Sequence, residues 1–495
     1  MTHTPLDHSQ CYAAIQAHDA RFDGLFFVAV RSTRIYCRPV CRVRLPRPEN
    51  CSFFRTAAGA EQAGYRPCLR CRPELAPGLA GVDAVRRTAH QAAERIRQGA
   101  LAEGSLEMLA AEFGLSSRQL RRVIEAEYGV GPLALATTYR LHLARQLLTD
   151  TDLRIIDVAY ASGFSSLRRF NDALRQHYRL KPSDLRRGKL GRHSTAFALR
   201  LSYRPPLAWD VLAGFLASRG NARIEQYQDG HYRRCVRLGT QLGWIDAYND
   251  ASAAQLVIEV SCSLLASLPR LLARLRILFD LDASPQLIDA RLSEDPLLAP
   301  LIAQHAGLRV PGALDPFELC LRAILGQQVT VKAASTLFSR FVAAFGDTVE
   351  TPWPGLDRAA PQAATLAAAP LQTLIDLGLT RRRAATIHAI ANGVVQGDLQ
   401  LNSSDRAAVI ERLLTYPGIG PWTAQYVAMR ALGDPNALPA SDLGLMRALS
   451  VGTAREVTAR AAAWQPWRAY AALHIWSSSQ ARAVPRESIV CPATP

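Results

Sequence analysis

The sequence predicts a multidomain, mostly α protein in four parts. These are a small cysteine-rich α+β domain (1–78), an all-α domain (84–190), an α+β subdomain (195–305) and an all-α domain (306–487). Three observations lead there. The chain has 495 residues, enough for about three or four domains of ordinary size. Six of its ten cysteines precede residue 72, which sets the first segment apart. Apolar residues recur at three- and four-residue spacing over residues 84–185 and, for the most part, over 268–479. Residues 197–203 and 255–261 alternate as strands do.

Composition restricts the function. Hydrophobic residues make up 49% of the chain, which excludes wholesale disorder. Lys and Arg number 58 against 42 Asp and Glu, a net charge of +16, and only Lys181, Lys189 and Lys332 are lysines. Such a surplus suggests a polyanion partner, either nucleic acid or an anionic membrane surface. A GC-rich genome would explain arginine over lysine, but not basic over acidic. The excess is concentrated, with +11 in residues 1–190 and +5 in the rest. The best apolar run, 256–268, contains Glu259 and is too short to span a bilayer. Residues 1–8 lack the basic and apolar regions of a signal peptide, so no membrane association and a cytoplasmic location are expected. Ten cysteines in a reducing compartment do not suggest a disulfide framework.

In the first domain, 26 residues separate the pair Cys37 and Cys41 from the pair Cys68 and Cys71. Two close pairs joined by a loop suit a tetrahedral four-thiolate Zn²⁺ site, and soft thiolates favour zinc over Ca²⁺ or Mg²⁺. Spacing leaves open a purely structural zinc site, and less readily a set of unrelated cysteines. Cys11 and Cys51 fall outside the spacing and read as packing residues. The flanks, Phe26 through Tyr36-Cys37-Arg38-Pro39-Val40-Cys41-Arg42 and Gly64-Tyr65-Arg66-Pro67-Cys68-Leu69-Arg70-Cys71, resemble the metal-binding domain of Ada-type adaptive-response proteins over about residues 8–75. The resemblance implies that Cys37 accepts a methyl group from a DNA methylphosphotriester, in one turnover, and that Cys41, Cys68 and Cys71 complete the site. Losing one negative charge there should raise DNA affinity, so the reaction could act as a switch.

The second domain contains two similar stretches. Leu109 to Ser117 precedes Arg118 and Arg121, and Val158 to Ser166 precedes Arg168 and Arg169. In each, a small residue lies four before a glycine (Gly114, Gly163), and a Ser-Ser pair opens the next helix. That pattern fits a helix-turn-helix whose following basic residues meet bases and phosphates. A long helix at about 133–148 separates the copies. Together they resemble the AraC-type DNA-binding domain over about 84–188. An unrelated basic helical bundle is the competing explanation.

In the last part, Pro417-Gly418-Ile419-Gly420-Pro421-Trp422 joins two helices as a helix-hairpin-helix. Gly418 and Gly420 would let the backbone approach a phosphate. Asp442 follows about 20 residues on, and Trp464, Trp467 and Trp476 come later. These stretches, with Asp315-Pro316-Phe317-Glu318 and Arg322 to Gln328, resemble the helix-hairpin-helix, Gly/Pro-rich loop and Asp superfamily. The nearest form is the AlkA-type 3-methyladenine DNA glycosylase. Tyr203 to Trp209 extends the likeness into that family's N-terminal β-containing domain, so it spans about 195–480.

The resemblance implies excision of alkylated purines by hydrolysis. Asp442 would stabilise the developing oxocarbenium ion, and Trp422, Tyr426 and Trp476 would wall the pocket for a flipped cationic base. Tyr426 and Trp476 could also be plain core residues, and Trp467 reads as core. Gln328 stands where that family places an apolar wedge, so Gln328 or a neighbour fills the gap. Trp422 replaces the Schiff-base lysine of lyase-type members, and the nearest lysine, Lys332, lies in another segment. Monofunctional chemistry is expected. No Pro-Cys-His-Arg stretch occurs, and Cys491 lies in a different context, so the O6-alkylguanine methyltransferase module of full Ada proteins is not expected. The chain reads as a monomer acting on alkylated and promoter double-stranded DNA, with RNA polymerase as a partner if it activates transcription. The alternative is a methylation-activated transcription factor whose glycosylase domain is only a DNA-binding scaffold.

Overall fold

A computed structural model describes residues 8–16, 18, 23, 26–75, 81–186, 195–403 and 405–483. The end of the first part at residue 78, Lys189 and Cys491 lie outside the described residues. Helices dominate the described chain, and the strands fall into two sheets. Among the described residues, no helix is long and apolar enough to cross a membrane. The chain divides into two compact units, residues 1–138 and 139–495.

The first unit opens with helix His8–Gln16 and a four-stranded sheet. Phe27–Val30 pairs antiparallel with both Cys51–Phe54 and Ile35–Cys37. The last pair, Ile35–Cys37 with Arg66–Pro67, is parallel. Helix Ala57–Gln62 makes that crossover, capped by the Thr56 hydroxyl. Helices Gly81–Arg97, Leu106–Ala111 and Ser117–Tyr128 follow, and helix Pro132–Asp150 contains the division point.

In the second unit, five strands form an antiparallel sheet ordered Ala196–Ser202, Gln255–Ser261, Gln241–Asp250, His231–Leu238, Glu225–Gln228. Strand Ala196–Ser202 shows the alternation read from sequence, burying Leu199 and Leu201 and exposing Ala198, Arg200 and Ser202. Helices Trp209–Arg219 and Leu268–Leu278 cover the sheet through Leu212, Leu216, Leu271 and Leu275. The same apolar cluster includes Leu147, Val158 and Phe170. Helix Ile155–Ala161 packs on the turn Cys262–Ser267, and the Gln146 amide donates to Arg200 O at 3.0 Å. The compact units therefore divide inside the long helix, and not near residue 190 where composition changes. Helices from Pro316–Leu325 to Arg468–Ala483 enclose two further apolar clusters, and between them lies a cleft of about 1,500 Å³.

Candidate functional site

The cysteine cluster follows from the sheet. Register pairs Val28 with Cys37, leaving Cys37 at the end of its strand. A tight turn, closed by Cys41 N–H to Arg38 O at 3.1 Å, turns Cys41 back. The parallel pairing of Tyr36 with Pro67 sets Cys68 beside them, and Cys68 N–H donates to Tyr36 O at 3.0 Å. All four cysteines are buried, and their Sγ atoms lie within 4.8 Å of one another. A tetrahedron with zinc–sulfur bonds of about 2.3 Å has edges of about 3.8 Å, so these residues fit Zn²⁺. Proton competition supports the same assignment. Hydrogen bonding to Cys41 and Cys71 pushes the Cys37 thiol up, while hydrogen bonding from Cys37 pulls Cys41 down. Without a cation the crowded thiols cannot all ionise. The Arg38 side chain is buried on Asp23, with Nε to Oδ1 at 2.8 Å, and the Arg38 backbone N–H reaches Cys71 Sγ at 3.5 Å. Cys11 and Cys51 are buried in the surrounding apolar cluster, as packing residues should be.

Both helix-turn-helix turns need their glycines, since Gly114 has φ +64° and Gly163 φ +83°. The Ser-Ser pairs differ in use. Ser116, the first of its pair, caps helix Ser117–Tyr128 in a capping box with Gln119. Ser166, the second of its pair, caps helix Leu167–Tyr178. Arg118, Arg121, Arg168 and Arg169 are all exposed in the opening turns of these helices.

The cleft collects the C-terminal candidates. Asp442 caps helix Leu443–Leu449, and its Oδ1 accepts Leu445 N–H at 3.0 Å. The same oxygen accepts Trp476 Nε1–H at 3.0 Å, while Oδ2 accepts Trp422 Nε1–H at 3.1 Å. Two indoles from helices Pro421–Arg430 and Arg468–Ala483 thus hold one carboxylate. The packed chain sets how the aromatic rings that line the cleft face one another. Trp422 and Tyr426 stack on each other, with centroids 5.2 Å apart and planes 7° apart. They form one wall, and no base fits between them. Trp476 tilts against Tyr426 at 6.3 Å. Trp467 packs edge-on against Tyr470, partly buried in a neighbouring core cluster.

The hairpin glycines divide their work. Gly418 has φ +90°, and a Cβ there would lie 2.2 Å from Thr386 Oγ1. Its carbonyl accepts from Gln327 Nε2 at 3.0 Å, and Thr386 Oγ1 donates to Pro417 O at 2.8 Å. Gly418 thus serves the turn itself. Gly420 leaves open space around its Cβ position and caps helix Pro421–Arg430, whose first N–H groups lack intrahelical partners. This second glycine is where a phosphate can come close. Gln328 is exposed at the cleft mouth with φ +55°, between helices Pro316–Leu325 and Val331–Phe345. Val329 beside it is 37% exposed.

Sequence reasoning missed the charges behind the aromatic wall. Arg219 lines the cleft, its guanidinium 3.8 Å from the Phe215 ring centroid. Burial lowers it to about 10, which leaves it protonated at neutral pH. Arg430 Nη1 donates to the Tyr426 hydroxyl at 2.8 Å. Burial alone would raise the Tyr426 phenol, but Arg430, Arg219 and Arg322 together hold it below its ordinary value. Beneath them Arg234 and Arg322 alternate with Glu225 and Glu318. Arg234 Nη1 meets Glu225 Oε2 at 2.6 Å, and Arg322 Nη1 meets Glu225 Oε1 at 3.0 Å and Glu318 Oε1 at 3.1 Å. Arg234 also pairs with Glu318. The lattice is balanced in charge and joins the sheet to helix Pro316–Leu325. Arg219 ends a mostly apolar helix and carried no signal beyond its charge. Arg322 stood in a stretch already singled out, without a role.

Comparison with known proteins matches four family models along the chain. The metal binding domain of Ada matches residues 10–74, and a helix-turn-helix domain matches 109–188. The AlkA N-terminal domain matches 198–315, and the HhH-GPD superfamily of base excision DNA repair proteins matches 321–461. The probable bifunctional transcriptional activator/DNA repair enzyme AlkA of Mycobacterium tuberculosis (strain H37Rv) is 40% identical over 488 residues, covering 95% of this chain and 96% of that protein. The DNA-3-methyladenine glycosylase 2 of Escherichia coli (strain K12) is 34% identical over 277 residues, 56% of this chain and 95% of that protein. Among solved structures, the 3-methyladenine DNA glycosylase of Archaeoglobus fulgidus shares the fold, with a TM-score of 0.51 at 24% identity over 58% of this chain and 99% of its own.

Proposed function

The chain belongs to the family of AlkA-type bifunctional transcriptional activator/DNA repair enzymes, and from that premise we propose how its residues divide the work. It is a DNA alkylation-damage repair and response protein. The second unit removes alkylated purines of the 3-methyladenine type by hydrolysis, without a lyase step. The cysteine domain takes methyl groups from methylphosphotriesters, and the helix-turn-helix region binds promoter DNA.

The observation that carries the glycosylase assignment is the carboxylate of Asp442, aimed into the cleft and held on both oxygens by indole N–H groups. An alkylated purine is cationic, so the glycosidic C–N bond breaks with its electron pair leaving on the base nitrogen. Positive charge then develops on the sugar. A fixed anion already oriented there stabilises that charge without reorganising. Water adds its oxygen to the sugar carbon and loses a proton, leaving an abasic site. Trp422 and Trp476 offer ring faces for the base, while Gln328 and its neighbour Val329 stand where the vacated stack must be filled. Gly420 and the helix start behind it are the phosphate anchor.

In the cysteine domain, Cys37, Cys41, Cys68 and Cys71 would hold zinc, which keeps thiols deprotonated at neutral pH. The Cys37 thiolate attacks the methyl carbon, a sulfur–carbon bond forms, and the electron pair of the broken carbon–oxygen bond stays on the phosphate. Arg118, Arg121, Arg168 and Arg169 are the DNA contacts of the two recognition helices. We further propose a cytoplasmic monomer that works with RNA polymerase.

The deciding experiment is base release from methylated DNA. Wild-type protein should release 3-methyladenine and Asp442→Asn should not. Equal release by both would remove Asp442 from the mechanism, and no release by either would favour a scaffold role.

A further inference from the structure

Glu127 lies near the end of helix Ser117–Tyr128, with 14% of its side chain exposed. Three basic groups converge on it. Arg86 Nε reaches Oε1 at 2.9 Å and His90 Nε2 reaches the same oxygen at 3.4 Å, both from helix Gly81–Arg97. The third, Arg42, comes from the cysteine domain, with Nη2 at 3.2 Å from Oε2. Arg42 follows Cys41 directly in the chain. Its carbonyl accepts from Arg70 Nη1 at 3.1 Å, and Arg70 lies between Cys68 and Cys71. One carboxylate therefore ties both cysteine loops to the recognition helix of the first helix-turn-helix.

We infer that Glu127 restrains Arg42 while the cysteine cluster keeps its full negative charge, and yields it to a DNA phosphate once Cys37 is methylated. The inference rests on the reading of Cys37 as methyl acceptor. The Arg42 side chain is 57% exposed, so its ion pair is of the weak kind that a phosphate can displace. The Arg42 side chain pairs with Glu127 and follows Cys41 in the chain, and a DNA phosphate would compete for its charge. Methyl transfer turns one thiolate into a thioether and one neutral phosphotriester into a charged diester. The protein loses a negative charge and the DNA gains one. Both changes move Arg42 toward DNA and loosen the tie to the recognition helix.

The test uses the zinc-loaded full chain as wild type, Glu127→Gln, Arg42→Gln and the double variant. Affinity for a short duplex without phosphotriesters is measured across salt concentrations, before and after exposure to a methylphosphotriester oligonucleotide. Intact mass reports methylation of Cys37. Unmethylated Glu127→Gln should bind roughly threefold to tenfold more tightly than wild type, with a salt slope steeper by roughly one. Its gain on methylation should shrink accordingly. In the Arg42→Gln background, Glu127→Gln should add nothing. Arg42→Gln alone should lose part of the methylation gain, which keeps the test open should Glu127→Gln misfold. Unchanged affinity and slope in Glu127→Gln would overturn the inference, as would a gain that persists without Arg42. If no protein acquires a methyl on Cys37, the acceptor reading fails, while the unmethylated comparison still decides whether Glu127 holds Arg42.

Discussion

Trp476 Nε1 donates to Asp442 Oδ1 at 3.0 Å across 34 residues of sequence, while Trp422 Nε1 holds the other oxygen at 3.1 Å. The two tryptophans are therefore donors as well as ring surfaces. They fix the carboxylate in one orientation, a preorganisation that a loop aspartate lacks. Trp476→Phe keeps an aromatic ring and removes the donor. Loss of a hydrogen bond to a charged group, about 1.5–3 kcal/mol, should lower kcat roughly 10- to 100-fold and change KM little. Single-turnover excision kinetics would check it, and a change confined to KM would mean that the indole acts only as a stacking surface.

Arg219 places a fixed cation in a cleft proposed to take cationic bases. Like charges within a low-dielectric pocket repel, so the arginine should moderate binding of charged lesions and favour neutral bases that present an acceptor. Arg219→Met should raise the ratio of 7-methylguanine release to release of a neutral base such as hypoxanthine, by roughly tenfold if about 1.4 kcal/mol of repulsion is relieved. Paired initial rates on two duplexes measure that ratio. A ratio equal to that of wild type would exclude an electrostatic role.

Gly418→Ala should be costly for two reasons. The residue has φ +90°, and a methyl group would meet Thr386 Oγ1 at 2.2 Å. Strain of about 1–3 kcal/mol is expected, with a lower melting temperature and weaker binding to undamaged duplex. Replacing Thr386 by Gly in the same chain removes the clash but not the backbone strain, so it should restore part of the loss. By contrast Gly420→Ala, with open space around its Cβ position, should leave stability near wild type and affect only DNA affinity.

His474 lies buried on helix Arg468–Ala483, and burial, helped by His305, lowers it from its ordinary value to about 4. The folded state thus binds fewer protons than the unfolded state between about pH 6.5 and 4. Stability is full above the unfolded value and falls as pH drops through that window, by roughly 3 kcal/mol. Thermal melts of wild type from pH 7 to 4 should show this decline, and His474→Leu should flatten it. An identical decline in the variant would assign the acid sensitivity to other groups.

Some of the site was legible because its geometry is local or its ligands declare themselves. The Cys37–Cys41 and Cys68–Cys71 pairs are close in sequence, and thiolates have few other uses in such an arrangement. The helix-turn-helix glycines were legible because the turn itself needs a left-handed residue, as Gly114 and Gly163 show. The stacking of Trp422 on Tyr426 was half legible. An i, i+4 spacing puts both on one helix face, but it does not say whether they face a gap or each other.

The buried charge lattice beneath the cleft was not legible as a unit. Glu225 and Arg234 come from a sheet, and Glu318 and Arg322 from a helix, so only the packed chain brings them together. Glu318 and Arg322 stood in stretches already singled out, but nothing in the sequence paired them with Glu225 and Arg234. The tie between Arg42 and Glu127, separated by 85 residues, is of the same kind.

The sequence alone pointed to the order of the four parts, the four cysteine ligands, the capped helices after each Ser-Ser pair, the hairpin turn and Asp442 as the candidate carboxylate. These depend on backbone conformation and ligand chemistry, which act over a few residues. Only the tertiary structure decided which oxygen of Asp442 each indole holds, which glycine faces outward, and where the cations Arg219, Arg322 and Arg430 converge. Those depend on distances between elements remote in the chain, and electrostatics and hydrogen bonding respond to distance in space, not in sequence.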